Sequence, residues 1–183
     1  MRLRINNSIT DSTNLQKIFS FLVDYPSREF FGPEIKKIVR ISKAGVYRAL
    51  NELVKQKFVV KNKKGKFYFY SILPQNCVVK QFKVLKNVIF LKLLVDRLKN
   101  SSRKIVLFGS SGRGEDRLES DIDILVISKE PSLTRDMITQ SESKRKIQAV
   151  IKTAVEFSEL EKKNPTFLRE INSGIVLWEE GYE

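Results

Sequence analysis

Residues 105–126 have the sequence IVLFGSSGRGEDRLESDIDILV, in which two apolar runs flank a polar, glycine-bearing segment. The second run begins with two aspartates, Asp121 and Asp123, that are one residue apart. Because side chains alternate faces along a strand, these two carboxylates project from the same side. Neighbouring carboxylates repel each other unless a cation lies between them, so we expect a magnesium (or manganese) site here.

The first apolar run ends at Gly109 and Ser110. A glycine-bearing turn after a strand leaves backbone N–H groups open, and such groups bind phosphate oxygens. Together with the paired carboxylates, this turn predicts a site for a nucleoside triphosphate.

The charge of the chain is distributed unevenly. Residues 1–100 contain 21 Lys and Arg against 6 Asp and Glu, whereas residues 101–183 contain 13 against 15. This asymmetry predicts that the first half binds a polyanion, for which nucleic acid is the favoured candidate. A generally basic surface is the alternative.

The composition excludes several chemistries. The chain has no histidine, which removes Ser-His-Asp triads and histidine-based zinc sites. Its one cysteine, Cys77, cannot form an internal disulfide, and we expect a buried structural thiol. The first residues lack the apolar core of a signal peptide, and residues 78–98 carry too many charges to span a bilayer. We therefore expect a soluble, cytoplasmic protein that does not contact a membrane.

The basic half has the pattern of a winged helix-turn-helix over residues 12–73, within a domain of residues 1–75. Apolar spacing predicts a helix over residues 15–24, Pro33 opens a second helix, and Ser42 caps a third that ends at about Gln56. Two β-rich runs around a turn at residues 62–66 predict a hairpin.

This domain predicts contacts with duplex DNA. The third helix would enter the major groove, and the hairpin tip would contact backbone phosphates. The predicted DNA-binding residues are Lys43, Tyr47, Arg48 and Asn51 on the helix and Lys61, Lys63, Lys64 and Lys66 on the hairpin. Winged helices also dock proteins, and a lysine-rich tip can be simply a solvated turn.

Residues 76–100 form a connecting helix with apolar positions around much of its circumference. Such a helix needs a partner surface. Either it packs between the two domains or it forms a homodimer interface, which would suit a protein that binds a two-fold symmetric DNA site.

The motif Gly109-Ser110, Gly112-Arg113-Gly114 and Ser120-Asp121-Ile122-Asp123 resembles the signature of the DNA polymerase beta-type nucleotidyltransferases. It is most similar to the minimal nucleotidyltransferases of prokaryotes, and the resemblance covers about residues 101–178. The whole arrangement is similar to prokaryotic proteins, common in archaea, in which a winged helix precedes such a domain. We therefore expect an α+β chain whose residues 101–183 form a small α/β domain with a mixed sheet.

The resemblance implies roles for individual residues. Asp121 and Asp123 would be catalytic and would hold one or two magnesium ions that bridge the triphosphate. The implied nucleotide-binding residues are Gly109 and Ser110 at the β- and γ-phosphates, Arg113 at a phosphate, and Ser120 in support of the turn. An arginine in a turn is as often merely solvated.

One feature of the family pattern is missing. The family uses a third carboxylate on a later strand, and the candidate strand here, residues 146–152, is KIQAVIK, with Gln148 about where that acid is expected. Glutamine cannot serve as a general base. Either the strand is misplaced, or Glu142 or Glu156 reaches the site, or the site binds a nucleotide without transferring it.

The remaining segments predict a helix from Ser158, another from Pro165 that ends at Ser173, and a closing strand with Trp178 in the core.

Three functions are compatible with this pattern. The first is a DNA-associated nucleotidyltransferase that transfers a nucleoside monophosphate from an NTP to an acceptor. The second is a DNA-binding regulator with an inactive or NTP-sensing pocket, and the third is an interaction module that works with a partner protein. The paired acids favour the first function, the missing third acid and the charged winged helix favour the second, and nothing in the sequence strongly supports the third.

Overall fold

The computed structural model describes residues 13–141, 143 and 145–181. The chain divides into two compact units, residues 1–80 and 81–183, and the division falls inside the connecting helix. Each unit has its own secondary structure and core.

The first unit begins with three helices, α1 (Asn14–Asp24), α2 (Gly32–Val39) and α3 (Lys43–Lys55). A capping box at Thr13 starts α1, since the Thr13 hydroxyl accepts from the Gln16 N–H at 3.2 Å. Pro33 lies in the first turn of α2, and the Ser42 hydroxyl caps α3 by accepting from the Gly45 N–H at 3.1 Å. These boundaries confirm the three predicted helices.

Three strands complete this unit, β1 (Phe30–Phe31), β2 (Val59–Lys64) and β3 (Phe67–Ile72), in the order β1-β3-β2. The predicted hairpin exists, but β2 extends to Lys64, which pairs with Phe67, so only Gly65 and Lys66 form the turn. The turn needs Gly65 because the backbone there has φ +60°. The sequence pattern did not indicate the two-residue strand β1.

The order helix, strand, helix, helix and hairpin, with β1 beside β3, is the topology of a winged helix-turn-helix. Its core is apolar and buried, with Ile18, Leu22, Ile35, Val46, Leu50 and Leu53 each 0% exposed. The third helix is the element that corresponds to the predicted recognition helix.

The connecting helix α4 is Cys77–Leu98, and the Asn76 side chain accepts from the Val78 N–H at 2.8 Å at its start. A short 3-10 helix, Lys99–Ser101, follows. Cys77 is exposed, so the expectation of a buried thiol was wrong, since the residue occupies the first, solvated turn of α4. Leu85 and Leu93 are also exposed, and a homodimer through this helix stays a prediction.

The second unit contains a four-stranded mixed sheet in the order β6-β5-β4-β7. Its strands are β4 (Ser102–Leu107), β5 (Ile122–Ser128), β6 (Ile147–Lys152) and β7 (Ile175–Glu179). β5 pairs parallel with β6, whereas β4 is antiparallel to both β5 and β7. The predicted α+β fold with a mixed sheet is confirmed.

Helices cover both faces of this sheet. Their bounds are α5 (Gly109–Arg113), α6 (Pro131–Thr139), α7 (Ala154–Lys163) and α8 (Pro165–Asn172). On one face, residues of α4 and α6 pack against buried side chains such as Ile122 and Ile124. On the other face, Phe157 of α7 and Phe167 and Ile171 of α8 pack against the side chains of Leu125 and its neighbours.

One helix start differs from the prediction. A capping box at Thr153 starts α7 at Ala154, with the Glu156 N–H donating to the Thr153 hydroxyl at 3.2 Å, rather than at Ser158. Within the described residues, no helix is long and apolar enough to cross a membrane.

Candidate functional site

The two predicted acids lie where the loop after α5 enters β5. Asp121 directly precedes the strand and Asp123 is its second residue, and both side chains are half-buried. Ile122 between them is 0% exposed and points into the α4 and α6 side of the sheet. Because side chains alternate, this anchor directs both carboxylates to the opposite face, where α7 and α8 pack.

The backbone of Gly109 lies against the carboxylate of Asp123. The backbone at Gly109 has φ +64°, and a Cβ there would lie 2.6 Å from Oδ2 of Asp123. Both the left-handed conformation and the close approach of the carboxylate require glycine. The Gly-Ser turn therefore lies directly against the Asp123 carboxylate, as the prediction of one combined site requires.

The carboxylate of Asp123 is held in surroundings that disfavour its charge. Burial raises the pKa of Asp123, and the negative charges of Asp121 and then Glu170 raise it further. Glu170, in α8, is an acidic residue that the sequence analysis missed. The helix is fastened to this face by Phe167, whose ring lies 5.6 Å from the ring of Phe108, centroid to centroid.

The neighbouring strand β6 supplies a cation and an amide instead of an acid. Asp123 pairs with Gln148 in the parallel register, so these two side chains stand side by side on one face. The ammonium of Lys146, just before β6, lies 3.0 Å from Oδ2 of Asp121. The predicted strand is thus correctly placed, and the absence of an acid from β6 is a property of the chain.

The two other acids considered as replacements have different outcomes. Glu142 lies outside the described residues. The carboxylate of Glu156 accepts from the backbone N–H of Thr153 at 2.8 Å and from its hydroxyl at 3.1 Å, and these bonds lower its pKa. Glu156 is therefore committed to capping α7. In the described part of the chain, no three acidic or cysteine side chains are grouped as a metal site.

The predicted nucleotide-binding residues all precede the acid pair in sequence, and they differ in their contacts. Ser110 is half-buried in the first turn of α5. The guanidinium of Arg113 is exposed and lies 3.0 Å from a carboxylate oxygen of Glu115. The Ser120 hydroxyl accepts from the Arg117 N–H at 2.9 Å, so it braces the loop that leads to Asp121.

These residues fit a magnesium ion that arrives with a nucleotide. Mg²⁺ in nucleotide sites is usually held by one or two carboxylates plus substrate phosphates, and it does not need a complete protein cage. Asp121 and Asp123 supply two hard oxygen donors, and the raised pKa of Asp123 indicates a carboxylate whose charge a cation would stabilise.

On the first unit, the predicted helix residues Lys43, Arg48 and Asn51 are exposed on α3. Tyr47 is different, because its ring packs against α2. A Cβ at Gly32 would lie 2.8 Å from the Tyr47 hydroxyl oxygen. Three of the four predicted helix residues thus remain open to a ligand.

The hairpin lysines are exposed but have unequal surroundings. The Lys61 ammonium lies 4.1 Å from the centroid of the Tyr68 ring. Lys64 forms an ion pair with Glu29, a contact that lowers the pKa of Glu29 and that the sequence analysis missed. Lys63 and Lys66 are exposed at the end of the hairpin.

A mixed sheet with paired aspartates at the start of one strand and a Gly-Ser turn against them defines the class of nucleotidyltransferase domains. Comparison with protein families agrees, since the family described as polymerase beta, nucleotidyltransferase matches residues 94–183. Residues 94–183 therefore match the nucleotidyltransferase domain of the polymerase beta family. No match is found among curated proteins.

Two solved structures resemble the chain more distantly. One is ZitR of Lactococcus lactis, a cysteine-to-serine mutant in complex with DNA, with 16% identity over 55% of this chain and 70% of that one and a TM-score of 0.38. The other is TrmBL2, an archaeal chromatin protein described with a novel mode of DNA binding, with 14% identity over 87% of this chain and 70% of that one and a TM-score of 0.31. The assignment of the winged helix depends on this chain's own topology.

Proposed function

We propose that the chain is a DNA-associated nucleotidyltransferase that binds an NTP with magnesium at Asp121 and Asp123 and transfers a nucleoside monophosphate to an acceptor. The observation that carries the proposal is the contact between Gly109 and Asp123. It places a turn suited to binding phosphate beside a carboxylate suited to binding a metal ion. The polymerase beta family match over residues 94–183 supports the same reaction class.

In this proposal each residue has a defined task. Asp121 and Asp123 hold the metal, while the backbone of Gly109 and the backbone and hydroxyl of Ser110 bind the β- and γ-phosphates. When bound, magnesium neutralises charge on the phosphates as pyrophosphate leaves. The Lys146 side chain, which is 76% exposed and lies beside Asp121, would supply a positive charge to a phosphate oxygen of the nucleotide.

Arg113 and Ser120 have lesser tasks. The exposed Arg113 side chain would bind a phosphate in place of its ion pair with Glu115. Ser120 keeps the loop before Asp121 folded through its hydrogen bond with the Arg117 N–H. The acceptor hydroxyl needs a general base. We assign this role to Glu170 of α8, whose negative charge contributes to the raised pKa of Asp123.

The test of transfer is labelling of cell-lysate macromolecules from α-phosphate-labelled NTPs, with magnesium or manganese. We expect label with the wild-type protein and none with an Asp121→Asn, Asp123→Asn double variant. The position of the label among protein, RNA and small molecules would identify the acceptor class. Equal labelling with both proteins would contradict the proposal.

A second function is favoured by one observation, the pairing of Gln148 with Asp123 in β6. A site without an acid on this strand can bind Mg²⁺–NTP without transferring it, and the chain would then be a DNA-binding regulator that senses the nucleotide. This alternative predicts NTP binding that Asp121→Asn abolishes, together with no transfer of label.

A substitution at Gln148 separates the two functions. Gln148→Glu places a carboxylate beside Asp123, and general-base catalysis contributes about 100-fold or more. A gain of that size in Gln148→Glu, with none in the control Gln148→Ala, indicates a wild-type site that senses nucleotide. If Gln148→Glu does not raise transfer and Glu170→Gln removes it, the wild-type chain is a transferase with its base on α8.

For the winged helix we propose binding to duplex DNA, with α3 in the major groove and the hairpin on the backbone. The proposal is supported by the charge excess of the first half of the chain and by the exposure of Lys43, Arg48 and Asn51 on α3. Tyr47 has a smaller role because it packs against Gly32.

Salt dependence tests this proposal. Each phosphate contact contributes about 0.9 to the slope of log affinity against log salt. Lys63→Ala should lower the slope by about that amount for every sequence, and Lys61→Ala and Lys66→Ala should act similarly. Lys64→Ala should do less, because its ammonium is already paired with Glu29. Arg48→Ala should alter sequence preference, and insensitivity to all these changes would indicate protein docking.

A further inference from the structure

A second carboxylate in the nucleotidyltransferase domain is more deeply buried than the acid pair. Asp116, in the loop between α5 and β5, is 3% exposed. Its Oδ2 lies 2.9 Å from Nη2 of Arg145, and its Oδ1 lies 3.6 Å from the Lys83 ammonium. The Asn87 amide also donates to Oδ1 at 3.2 Å. The loop is thus fastened to α4 and to the segment before β6.

Arg145 connects this cluster to the acid pair. Its Nε and Nη2 donate to the carbonyl of Ser120, the residue before Asp121, at 3.2 Å and 2.9 Å. Its Nη1 donates to the Asn87 side-chain oxygen at 3.0 Å. One guanidinium therefore links Asp116, α4 and the backbone that leads directly into Asp121.

The next residue extends the same contact. The carbonyl of Lys146 accepts from the Ile122 N–H at 2.9 Å, and its ammonium reaches Asp121. Three successive residues, 120–122, are therefore each held by Arg145 or Lys146. Asp121 lies in the middle of this brace.

The energetics argue that the cluster does more than stabilise the fold. A buried ion pair loses its hydration on folding, and well-packed apolar residues often stabilise a protein equally well. What apolar residues cannot do is hold a carbonyl oxygen at a fixed angle, whereas the planar guanidinium presents several donors in a rigid fork. What this cluster adds is a fixed direction of the backbone at Ser120 and Asp121.

We propose that Asp116 and Arg145 are positioning residues for the metal site: Asp116 fixes the Arg145 guanidinium, and Arg145 fixes the Ser120 carbonyl and so aims the Asp121 carboxylate. This inference rests on the proposed function, because it assigns the cluster to the same acid pair. The proposed function assigns neither residue a contact with the nucleotide. Asn87 supports both by bonding to Asp116 and Arg145 and to the Ser111 carbonyl at 3.0 Å.

The informative variant is Arg145→Lys. It keeps a positive charge beside Asp116, so the fold should survive, but a single ammonium cannot reproduce the pair of bonds to the Ser120 carbonyl. Residues that orient metal ligands typically contribute 10–100-fold to metal affinity, so we expect about 10-fold weaker Mn²⁺ binding. The measurement is titration of the full chain with Mn²⁺ alone, following the paramagnetic resonance of the free ion.

The matched control is Lys104→Gln, which breaks an ion pair of the same domain at the other end of the sheet. Lys104 lies 2.9 Å from Glu179, and both side chains are about one-third exposed. We expect wild-type Mn²⁺ affinity in this control, with thermal stability recorded for both variants. Wild-type affinity in Arg145→Lys would overturn the inference, as would an equal loss in Lys104→Gln.

Hydrogen exchange tests the positioning without any ligand. The Ser120 and Ile122 amides donate to the carbonyls of Arg117 and Lys146, at 3.0 Å and 2.9 Å. We expect both amides to exchange about 10-fold faster in Arg145→Lys and at the wild-type rate in Lys104→Gln. If the wild-type protein bound no Mn²⁺, the proposed metal site would be contradicted. The hydrogen-exchange measurement would still decide whether Arg145 orders the loop. Unchanged exchange would overturn the positioning role.

Discussion

Asp116 and Asp123 belong to the same domain, the first buried and the second half-buried. The charges that surround the two carboxylates are of opposite sign. Asp116 is 3% exposed and faces Arg145, Lys83 and the amide of Asn87. Asp123 lies among influences that raise its pKa, namely burial and the charges of Asp121 and Glu170. The chain places its own cations beside Asp116, whereas the proposed function assigns Asp123 to a bound cation. This contrast predicts that Asp116 holds the loop and that Asp123 binds a ligand.

Removal of the Asp116 carboxylate should cost the most stability. Asp116→Ala leaves the Arg145 guanidinium buried without its carboxylate, and breaking a buried ion pair on one side typically costs about 3–5 kcal/mol. We expect a loss of that size in the free energy of unfolding, measured by urea denaturation.

The control for Asp116→Ala is an exposed pair. Asp96 lies 2.8 Å from the Lys92 ammonium on α4, and its side chain is 44% exposed. Exposed pairs contribute about 0–1 kcal/mol, so Asp96→Ala should have a small effect. Equal costs for the two variants would mean that Asp116 is not the structural carboxylate.

The sequence was sufficient for the local part of this picture. The helix cap at Ser42, the prolines at the starts of α2 and α8, and the alternation that puts Asp121 and Asp123 on one face all depend on residues a few positions apart. Such short-range patterns have local physical causes, so they can be read without tertiary structure. The apolar run around Gln148 predicted the strand β6, whereas the expectation that Gln148 stands in the place of the third acid came from the resemblance to the family.

The contacts that the sequence did not predict join distant positions. Arg145 and Asn87 are 58 positions apart, and Lys64 and Glu29 are 35 apart. Nothing local selects such partners among the many charged residues. One signal was present: Lys83 and Asn87 are polar residues one turn apart on a helix with apolar positions around much of its circumference, and buried polar groups require partners.

A second test sharpens the role of the Asp123 surroundings. Gly109→Ala places a methyl group 2.6 Å from the Asp123 carboxylate at a φ of +64°. The left-handed backbone costs about 1–2 kcal/mol for a non-glycine residue, and the steric overlap adds about 1–3 kcal/mol. We expect a total loss of about 3 kcal/mol in the free energy of unfolding.

Gly65→Ala is the matched control, because its φ is +60° and no atom lies within 4 Å of the position of its Cβ. It should cost only the backbone part, about 1–2 kcal/mol. In an Asp123→Ala background, Gly109→Ala should fall to the same value. If Asp123→Ala brings no relief, the carboxylate is not what excludes a side chain at Gly109.

The smallest expected effect is the pH dependence of Asp123→Asn. Because the pKa of Asp123 is raised in the folded protein, deprotonation costs folding stability. The cost is absent at pH values below the pKa of an unfolded aspartate, about 3.9, and is complete above the raised pKa. Asp123→Asn removes this cost, so the variant should gain stability relative to the wild type as the pH rises through that window, measured by urea denaturation at each pH.

Magnesium should act in the opposite direction at neutral pH. A ligand that binds only the folded state stabilises it in proportion to the logarithm of its concentration above the dissociation constant. Saturating Mg²⁺ with NTP should therefore stabilise the wild type and not Asp123→Asn, which closes or reverses the gap between them. A gap that Mg²⁺ with NTP leaves unchanged would mean that the unfavourable charge of Asp123 is not relieved by a metal, and the contrast with Asp116 would then have a structural cause alone.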